Sequence, residues 1–411
     1  MTVIASDVAP RLSEAVAGAL REAGEQDAVT GVVPRFIVSP TSTEQVCAVL
    51  AVADETGLAV VPRGTGTKIG WGAPPERCDV VLDLTGLDQL VEHTAGDLVA
   101  VVQAGRRLDD LAQDLAAAGQ RLAVDPPRRG TVGGLVATAA TGPARLFAGP
   151  VRDLVIGVTV VRADGVLAKS GGKVVKNVAG YDLGKLLTGS FGTLGVLTQV
   201  AVRLHPVTES SQWVTVPVAS ASQAQDVVLR VAHSQLVPSG CELDWLGGSG
   251  RLSVRMDGAV NGVEDRVAPA VGLLGPGAEA SVTPPDWWGA EPAGGDVLLK
   301  VTHETASLGV LLDAVDRAAA SEGVAAHTRG SVVVGTVYVC VPAAGAPRFV
   351  ERLRADANRF GGAVVVLDAP VDTHRELDVW GPVRGLDLMR RVKEQFDPNR
   401  VLSPGRFVGG I

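Results

Sequence analysis

The sequence predicts an α+β protein made of two unlike units. Residues 30–206 mix helices and strands with many glycine turns, and residues 210–369 show the order β-α-β-β-α-β twice in succession. This order is the split pattern of a ferredoxin-like unit. We therefore expect two such units, joined by a linker at 284–295 that is rich in Pro, Gly and Trp.

The elements of the first unit follow from apolar periodicity and from glycine stops. Apolar faces followed by glycine predict three helices, and apolar runs around Asp164-Gly165 predict a β-hairpin. Thr41 and Glu44 suggest a capping box before the second helix. The predicted elements are a helix over 8–24 ending at Gly24, a helix over 43–56 ending at Gly57, a helix over 107–118 ending at Gly119, and strands at 154–161 and 166–169.

The elements of the second half repeat one order. Each repeat has strands with β-branched residues and helices with an apolar face, although the two repeats show no obvious sequence identity. The first repeat is predicted as strand 212–219, helix 221–235, strands 240–245 and 250–256, helix 261–274 and strand 278–283. The second is predicted as strand 296–303, helix 307–321, strands 324–328 and 331–341, helix 347–360 and strand 363–369. A last helix is predicted over 384–395.

Composition excludes several classes of function. The length of 411 residues suggests two or three domains, and a net charge of −8 argues against nucleic-acid binding. The longest apolar run, 331–341, is too short to span a bilayer, and the first ten residues lack the pattern of a signal peptide. The four cysteines have neither metal-ligand nor iron–sulfur spacing. We expect a cytoplasmic protein with buried thiols and no direct membrane span.

The segment 173–196 carries the clearest functional signal. The chain has seven lysines, and four of them, at 169, 173, 176 and 185, lie in or beside this segment together with a cluster of glycines from Gly180 to Gly195. Glycine lets the backbone approach a ligand closely, and lysine supplies mobile positive charge. This combination suits an anionic cofactor with a large ring.

A second glycine cluster, Pro62–Lys68, follows a predicted strand. Its glycines do not fit G-x-G-x-x-G and no helix is predicted after it, which excludes a Rossmann dinucleotide turn. Its backbone N–H groups and two threonines are typical of an anion-binding nest, to which Arg63 and Lys68 add charge. An ordinary glycine loop is the alternative for this segment in isolation. A third cluster, 130–135, is followed by small residues up to Gly142, and three such clusters in one unit favour a shared ligand.

Several segments resemble the FAD-binding fold shared by vanillyl-alcohol oxidase and p-cresol methylhydroxylase. They are PRGTGTK at 62–68, PPRRGTVGGLVATAATG at 126–142 and GPVRDLVIGV at 149–158. The segment GGKVVKNVAGYDLGKLLTGSFGTLGVLTQVAVRLHP at 171–206 is similar to the E subunit of bacterial glycolate oxidase. The tail FDPNRVLSPGRF at 396–407 resembles the end of that subunit, with Ser403 where asparagine is usual. Between these regions the resemblance is one of architecture only.

The resemblance implies a two-part FAD-binding domain under an α+β cap. The implied division is an N-terminal helical segment at 1–29, the FAD-binding domain at 30–206, the cap at 207–383, and a C-terminal helix and tail at 384–411 that returns to the FAD-binding domain. Because neither 62–68 nor 130–142 contains His or Cys, the FAD is expected to be non-covalent. The residues implied to contact it are Arg63, Gly64, Thr65, Gly66, Thr67, Lys68, Thr131, Gly133, Gly134, Thr141, Gly142, Asp153, Gly192, Gly195 and Val196.

Catalytic residues are less evident. Related 2-hydroxyacid dehydrogenases carry a histidine- and acid-rich metal motif, whereas the six histidines here show no ligand spacing, and no metal site is predicted. The candidates are Tyr181, Lys176 and Asn177 in the most specific segment, with a buried structural tyrosine as the alternative for Tyr181. On the cap, a group of charged and aromatic residues either lines a pocket or faces water: Arg251, Arg255, Arg329 and Trp380.

The resemblance implies an FAD-binding subunit of a complex that oxidises glycolate or another small 2-hydroxyacid. The implied partners are a second flavoprotein subunit of similar fold and an iron–sulfur subunit, through which the protein would reach the membrane. Two versions stay open: the chain oxidises the substrate itself, or its flavin relays electrons or has a structural role. The absence of the metal motif favours the second version. The alternative is a stand-alone FAD-dependent oxidase or dehydrogenase acting on an alcohol or a sugar acid.

Overall fold

The structure is a computed structural model that describes residues 8–173 and 181–411. Within these residues the strands form three large sheets and one two-stranded sheet. None of the helices in the described part of the chain has the length and apolar character needed to cross a bilayer.

The first sheet has four short strands in the order β1-β2-β4-β3, of which the last three are parallel. Two helices pack on it around Val46, Leu50 and Val60, all fully buried. Its elements are α1 (Val8–Ala15), β1 (Leu20–Glu22), β2 (Phe36–Val38), α2 (Thr43–Thr56), β3 (Val60–Arg63) and β4 (Val80–Asp83).

The predicted helix over 8–24 is wrong beyond Ala15. Ala17 and Gly18 adopt positive φ and end the helix, and residues 20–22 pair antiparallel with β2 instead. The helix over 43–56 is confirmed, but its cap differs from the prediction. Ser42 accepts a hydrogen bond from the Gln45 backbone, because Ser42 is the residue with the extended conformation that an N-cap requires.

The second sheet is antiparallel, with the order β5-β6-β10-β8-β9. The predicted 107–118 helix and the hairpin at Asp164-Gly165 are both present. Its elements are β5 (Leu90–Thr94), β6 (Val99–Gln103), α3 (Leu108–Ala116), β7 (Gln120–Arg121), α4 (Val132–Thr138), α5 (Arg145–Ala148), α6 (Val151–Leu154), β8 (Val155–Val161), β9 (Leu167–Gly171), α7 (Leu183–Leu187), β10 (Val196–Arg203) and β11 (His205–Pro206), where β7 and β11 form the two-stranded sheet.

The third sheet confirms the predicted double β-α-β-β-α-β order. Its elements are β12 (Ser210–Val218), α8 (Ala221–Ala232), β13 (Gly240–Leu246), β14 (Ser249–Gly258), α9 (Val260–Leu274), β15 (Glu279–Ser281), β16 (Val297–Thr302), α10 (Leu308–Glu322), β17 (His327–Ser331), β18 (Thr336–Val341), α11 (Ala346–Ala355) and β19 (Val364–Asp368).

The two repeats join edge to edge into one eight-stranded sheet. The strand order is β15-β12-β14-β13-β17-β18-β16-β19, so the second strand of each repeat, β13 and β17, forms the antiparallel junction. Successive side chains of a strand point to opposite faces. One face packs its apolar residues against α8–α11 in the largest core cluster. The other face is largely polar, and its Leu298, Tyr338 and Leu367 join the core of the second sheet.

The last part of the chain returns to the first sheet. It contains α12 (Val371–Glu376) and α13 (Leu386–Phe396). After α13, Leu402 forms a parallel bridge with Val60 of β3, and the Ser403 N–H donates to the Val60 carbonyl at 2.9 Å. The C-terminal tail therefore joins β3 just before the glycine loop that follows this strand.

Candidate functional site

The three glycine clusters converge on one open cavity, whose empty space of about 850 Å³ extends into solvent. Segments from β3 and its loop, from α4, from the start of β10 and from the C-terminal tail form its walls. Among the predicted cofactor-binding and catalytic residues that the structure describes, all line this cavity except Thr141, Gly142, Asp153 and Tyr181. The lining comprises Val61 to Ile69, Leu84, Ala104, Thr131, Gly133, Gly134, Ala137, Thr138, Ser190, Phe191, Gly192, Gly195, Val196, Leu197 and Arg406.

The end of β3 and the loop after it supply backbone groups and two cations, Arg63 and Lys68. No helix follows it, as the sequence predicted, and Gly66 at a φ of 76° turns the backbone in a conformation that favours glycine. Within the described residues the buried Thr65 hydroxyl has no hydrogen-bond partner. Such a group inside a protein is costly unless a ligand or water satisfies it.

The two cations of this loop differ. The Arg63 guanidinium pairs with Asp83 at 2.9 Å, so its charge is compensated. Lys68 is buried, and its Nζ donates to the Arg128 carbonyl at 2.7 Å. Burial, and then the nearby Arg128 charge, lower the pKa of Lys68 to about 8. An anionic ligand in the cavity would raise the pKa of Lys68 again and stabilise the charged form.

The second cluster forms the N-terminus of α4. Thr131 is the N-cap, and its hydroxyl accepts a hydrogen bond from the Gly134 N–H at 3.2 Å. Gly134 is the third residue of the helix and lines the cavity. Outside its own helix backbone, a Cβ at Gly134 would have one neighbour within 4 Å, the Thr131 hydroxyl at 3.1 Å. The space in front of Gly134 is therefore open to a ligand.

Sequence reasoning missed Arg406, which closes the cavity from the C-terminal tail. Its side chain is buried, and Nη2 donates to the Ile69 and Trp71 carbonyls at 2.8 and 2.6 Å. Its Nη1 is buried without a partner in the ranges that the structure covers. Burial lowers the pKa of Arg406 to about 10, so the side chain stays charged at neutral pH. The signal was present in the sequence, since the tail was expected to return to this unit.

The remaining predicted residues lie elsewhere. Asp153 is exposed on α6 and lines neither this cavity nor the second one, because the buried side of α6 is formed by Val151 and Leu154. Tyr181 is 90% exposed, so it is not the buried aromatic considered as its alternative, and it does not line the cavity. Lys176 and Asn177 lie outside the described residues.

Thr141 and Gly142 line a second, narrow cavity between the second and third sheets, which has room for about one water molecule. The segment 126–142 therefore contributes to both cavities, since Thr131 to Thr138 line the first and Thr141 and Gly142 the second. The third sheet supplies the opposite wall with polar residues from three of its strands: Glu242, Ser331, Thr336 and Tyr338.

The residues of this wall belong to two rows of polar residues that run across the third sheet. In each row, every residue lies directly opposite the next one on the neighbouring strand. The first row is Thr215, Ser253, Glu242, Ser331, Thr336 and Thr302, and the second is Arg251, Asp244, Arg329, Tyr338 and Lys300. In the second row, Arg251 and Arg329 both pair with Asp244. Arg329 is largely buried and Arg251 is half exposed, and both charges are compensated by Asp244.

Glu242 is the buried carboxyl of the first row. It is 5% exposed and accepts a hydrogen bond from the Ser331 hydroxyl. Burial raises the pKa of Glu242 to about 8; the Ser331 hydrogen bond opposes this shift and the nearby Asp125 adds to it. Such a carboxyl exchanges its proton near neutral pH, as a group in an acid–base site must.

We expect Glu242→Gln to change how stability depends on pH. In the folded protein Glu242 keeps its proton up to about pH 8, whereas the unfolded carboxyl ionises above about 4.5. The folded state therefore binds more protons in this window, and its free energy of unfolding falls as pH rises through it, by at most about 1.4 kcal/mol per pH unit. Urea unfolding at several pH values between 5 and 8 should show a shallower fall for the variant. Glu264→Gln on the exposed side of α9 is the control and should keep the wild-type slope.

Two family models match the chain. The FAD binding domain matches residues 34–171, and the C-terminal domain of FAD linked oxidases matches residues 380–407. The first match contains the loop after β3 and the 126–142 segment. The second contains α13 and Arg406, so residues from both matched regions line the first cavity.

Relatives among known proteins agree with these matches. The uncharacterized FAD-linked oxidoreductase Rv2280 of Mycobacterium tuberculosis is 28% identical over 420 residues, covering 92% of this chain and 91% of that protein. The glycolate oxidase subunit GlcE of Escherichia coli is 35% identical over 189 residues, covering 45% of this chain and 50% of GlcE.

A solved structure confirms the fold class. Alkyldihydroxyacetonephosphate synthase superposes with a TM-score of 0.73 at 16% identity, covering 98% of this chain and 86% of that one. Together with the FAD binding domain match, this likeness confirms the predicted α+β architecture of an FAD-binding unit under a cap.

The first cavity fits FAD chemically. FAD combines an anionic pyrophosphate with flat apolar rings, and the cavity offers backbone N–H groups, two cations, and apolar surface from Leu84, Ala104 and Phe191. The two unpartnered polar groups, the Thr65 hydroxyl and Arg406 Nη1, are donors suited to phosphate oxygens.

We expect Arg406→Met to weaken FAD binding about 10- to 100-fold. A hydrogen bond to a charged group contributes roughly 1.5–3 kcal/mol, and the variant removes the cation that faces the cavity. Fluorescence titration of the apoprotein with FAD measures the change. Arg400→Met, an exposed residue of the same tail paired with Glu76, is the matched control. If Arg406→Met binds FAD within twofold of wild type, Arg406 does not contact FAD and only stabilises the segment at Ile69 and Trp71.

Proposed function

We propose that this FAD-dependent oxidoreductase, with its FAD binding domain and its FAD linked oxidase C-terminal domain, is the FAD-binding subunit of a complex that oxidises glycolate or a related 2-hydroxyacid. The observation that carries the proposal is the convergence of three glycine clusters and Arg406 on one cavity. The similarity to GlcE, which spans half of that subunit, directs the proposal to this class of complex.

The chain's residues are proposed to hold FAD non-covalently. Bound FAD supplies the two-electron acceptor for oxidation of a CH–OH group. Lys68 and Arg406 would hold its anionic part, and the loops at 62–68 and 130–134 would donate backbone N–H groups without side-chain bulk. Gly192, Gly195 and Val196 would form the facing wall. The cofactor-binding residues we propose are therefore those predicted residues that line the first cavity, with Arg406 added.

The proposed partners are a second flavoprotein subunit of similar fold and an iron–sulfur subunit. Within the described residues, no group of three or more His, Cys, Asp or Glu side chains is arranged to hold a metal ion. We propose that electrons leaving the flavin pass to one of these partners. The match to one subunit of glycolate oxidase supports an acceptor in a partner.

Of the two versions of this role, the second cavity favours oxidation by the chain itself. A relay or structural flavin needs no proton-exchanging group on the cap, yet Glu242 lies buried beside Ser331 in a cavity that adjoins the cofactor-binding segment. Oxidation of an alcohol requires removal of the hydroxyl proton, and a carboxyl whose pKa lies near neutral pH suits that task.

Two measurements test the proposed function. The native complex is purified through a tag on this chain, and its subunits and cofactors are identified; stoichiometric FAD, a second flavoprotein and an iron–sulfur protein are expected. The isolated chain is then mixed anaerobically with glycolate or D-lactate, and rapid flavin bleaching is expected. A purified chain without FAD would refute the cofactor assignment. A chain that runs alone and bleaches with another alcohol or a sugar acid would favour a stand-alone enzyme.

A further inference from the structure

The linker between the two repeats of the cap covers the second cavity. Gly289 and Ala290 line this cavity opposite the polar wall of the third sheet. Residues 289–295, which we call the strap, continue from there across the polar face of that sheet. The cavity has room for about one water molecule, and even glycolate is larger. A substrate therefore reaches Glu242 only if a wall of the cavity moves.

The strap has little support from its own backbone. Within the described residues, its only backbone–backbone hydrogen bond runs from the Ala290 N–H to the Trp287 carbonyl. Pro292 is the one buried residue between positions 289 and 295. Segments with few backbone hydrogen bonds and few buried apolar contacts open locally at a low cost in free energy. The strap is therefore the wall that is easiest to move.

Both ends of the strap are fixed, and glycine lies at each of them. Before it, Trp287 is 3% exposed, and after it the Asp296 N–H donates to the Val341 carbonyl at 3.1 Å. Gly289 and Gly294 have φ angles of 68° and 94°, in the region that favours glycine. Hinges are a few loop residues, often small ones, that absorb a change of φ and ψ. The strap can therefore turn about these glycines while its ends stay in place.

Side chains of β17 hold the strap against the sheet. Arg329 Nη1 donates to the Glu291 carbonyl at 2.9 Å, and His327 Nδ1 accepts a hydrogen bond from the Ala293 N–H at 3.1 Å. Both contacts join a side chain to the strap backbone. The strap can therefore leave the sheet without breaking a strand pair.

One ion pair joins the middle of the strap to the cofactor-binding unit. The Glu291 carboxylate lies 2.9 Å from Arg128 Nε, and the two side chains are 22% and 31% exposed. Arg128 also pairs with Asp368 of β19, and its carbonyl accepts a hydrogen bond from Lys68, which lines the first cavity. Arg128 is thus held in place from both units, and Glu291 is the partner on the movable segment.

We propose that the strap is a gate that moves away from the polar face to admit substrate to Glu242, and that the Arg128–Glu291 pair is the latch that keeps it closed. This inference rests on the proposed function, since it concerns how a 2-hydroxyacid reaches the carboxyl of the second cavity. Opening breaks this ion pair and the contacts with Arg329 and His327. It leaves the main core of the cap intact, because that core lies on the opposite face of the sheet.

The gate is tested with a thiol placed inside the second cavity. Thr336 is 3% exposed and lines this cavity, and Thr336→Cys is a close match in size. The variant is mixed with N-ethylmaleimide, and labelling at position 336 is followed by mass spectrometry. We expect Glu291→Gln, added to Thr336→Cys, to speed this labelling about three- to tenfold, because a charged hydrogen bond no longer opposes opening. Arg128 keeps its pair with Asp368, so the change leaves no charge uncompensated.

The controls use the same protein. Glu55→Gln, added in place of Glu291→Gln, removes an exposed carboxylate that pairs with Arg11 and should leave the labelling rate unchanged. The native Cys241 thiol, buried in the core on the opposite face of the sheet, reports unfolding of the cap and should label slowly in every variant. Ser331→Cys, on the same wall of the cavity, repeats the measurement with a second reporter. Thermal unfolding confirms that the compared variants are folded.

The labelling rates decide the inference separately from the proposed function, since labelling needs neither FAD nor substrate. Faster labelling in Glu291→Gln but not in Glu55→Gln supports the gate. Equal rates in these two variants would show that the Arg128–Glu291 pair is not a latch and would overturn it. A cavity thiol that labels as slowly as Cys241 in every variant, or as fast as a fully exposed thiol, would overturn it as well. Flavin bleaching by glycolate tests the proposed function and has no bearing on these rates.

Discussion

Replacing Gly134 with valine is expected to remove FAD from a protein that still folds. Gly134 lines the first cavity as the third residue of α4, and beyond its own helix a side chain there would meet only the Thr131 hydroxyl before entering the open space. The added atoms would occupy volume that the cofactor needs. Overpacking a close-fitting site costs roughly 1–3 kcal/mol or more, which corresponds to a loss of FAD affinity of up to about 100-fold. The absorbance of the purified protein measures the FAD content.

A matched control is available in α9. Gly262 is also the third residue of its helix and has open space around its Cβ position, but it is exposed and lines neither cavity. Gly262→Val should keep full FAD content, with a similar helix-propensity change. If Gly134→Val retained stoichiometric FAD, the cofactor would have to bind elsewhere and the assignment of this cavity would be wrong.

Lys393→Met is expected to cause the largest loss of stability. Lys393 and Asp397 are both buried and lie 2.6 Å apart, and the Lys393 ammonium also donates to the Thr193 and Leu402 carbonyls at 2.8 and 2.9 Å. Removing one partner leaves the other charge buried without compensation, which costs about 3–5 kcal/mol. Urea denaturation followed by circular dichroism measures the free energy of unfolding.

The control is an exposed pair of the same chemistry. Lys185 and Asp182 lie 3.3 Å apart at the start of α7, and both are about half exposed. Lys185→Met should change the free energy of unfolding by about 0–1 kcal/mol. Replacing both buried partners, with Lys393→Met and Asp397→Leu together, should recover part of the loss, because no charge then stays uncompensated. Equal effects of Lys393→Met and Lys185→Met would show that the buried pair does not hold the tail.

The glycine loops could be predicted from the sequence because some of their positions require glycine, either for a positive φ or for close contact with a neighbouring segment. Gly66 has a positive φ, and a Cβ at Gly133 would lie 2.8 Å from the Ala104 Cβ. The lack of a predicted helix after the first loop excluded a Rossmann turn from the sequence alone. The double β-α-β-β-α-β order could also be predicted, because apolar residues recur with a different period in helices than in strands.

The polar wall of the second cavity could not be predicted from the sequence. Alternation along β13, β17 and β18 predicts one polar face, and a polar face of an antiparallel sheet is usually solvated. Only the contact with the second sheet buries Glu242 and places Arg145 beside Thr336. The surroundings of Lys300 could not be predicted for the same reason. A single lysine in an apolar strand does not indicate that Arg145, from another part of the chain, lies near it.

The first cavity also fixes an order of events in synthesis. The residues that line it begin at Val61 and end at Arg406. The ribosome therefore synthesises the whole cap after the first of these residues and before the last. A nascent chain that has released only the 34–171 region has the glycine loops but neither Arg406 nor the Lys393–Asp397 pair that anchors the tail. Cofactor loading should therefore be a late step, completed after release of the C-terminal segment rather than during emergence of the cofactor-binding region.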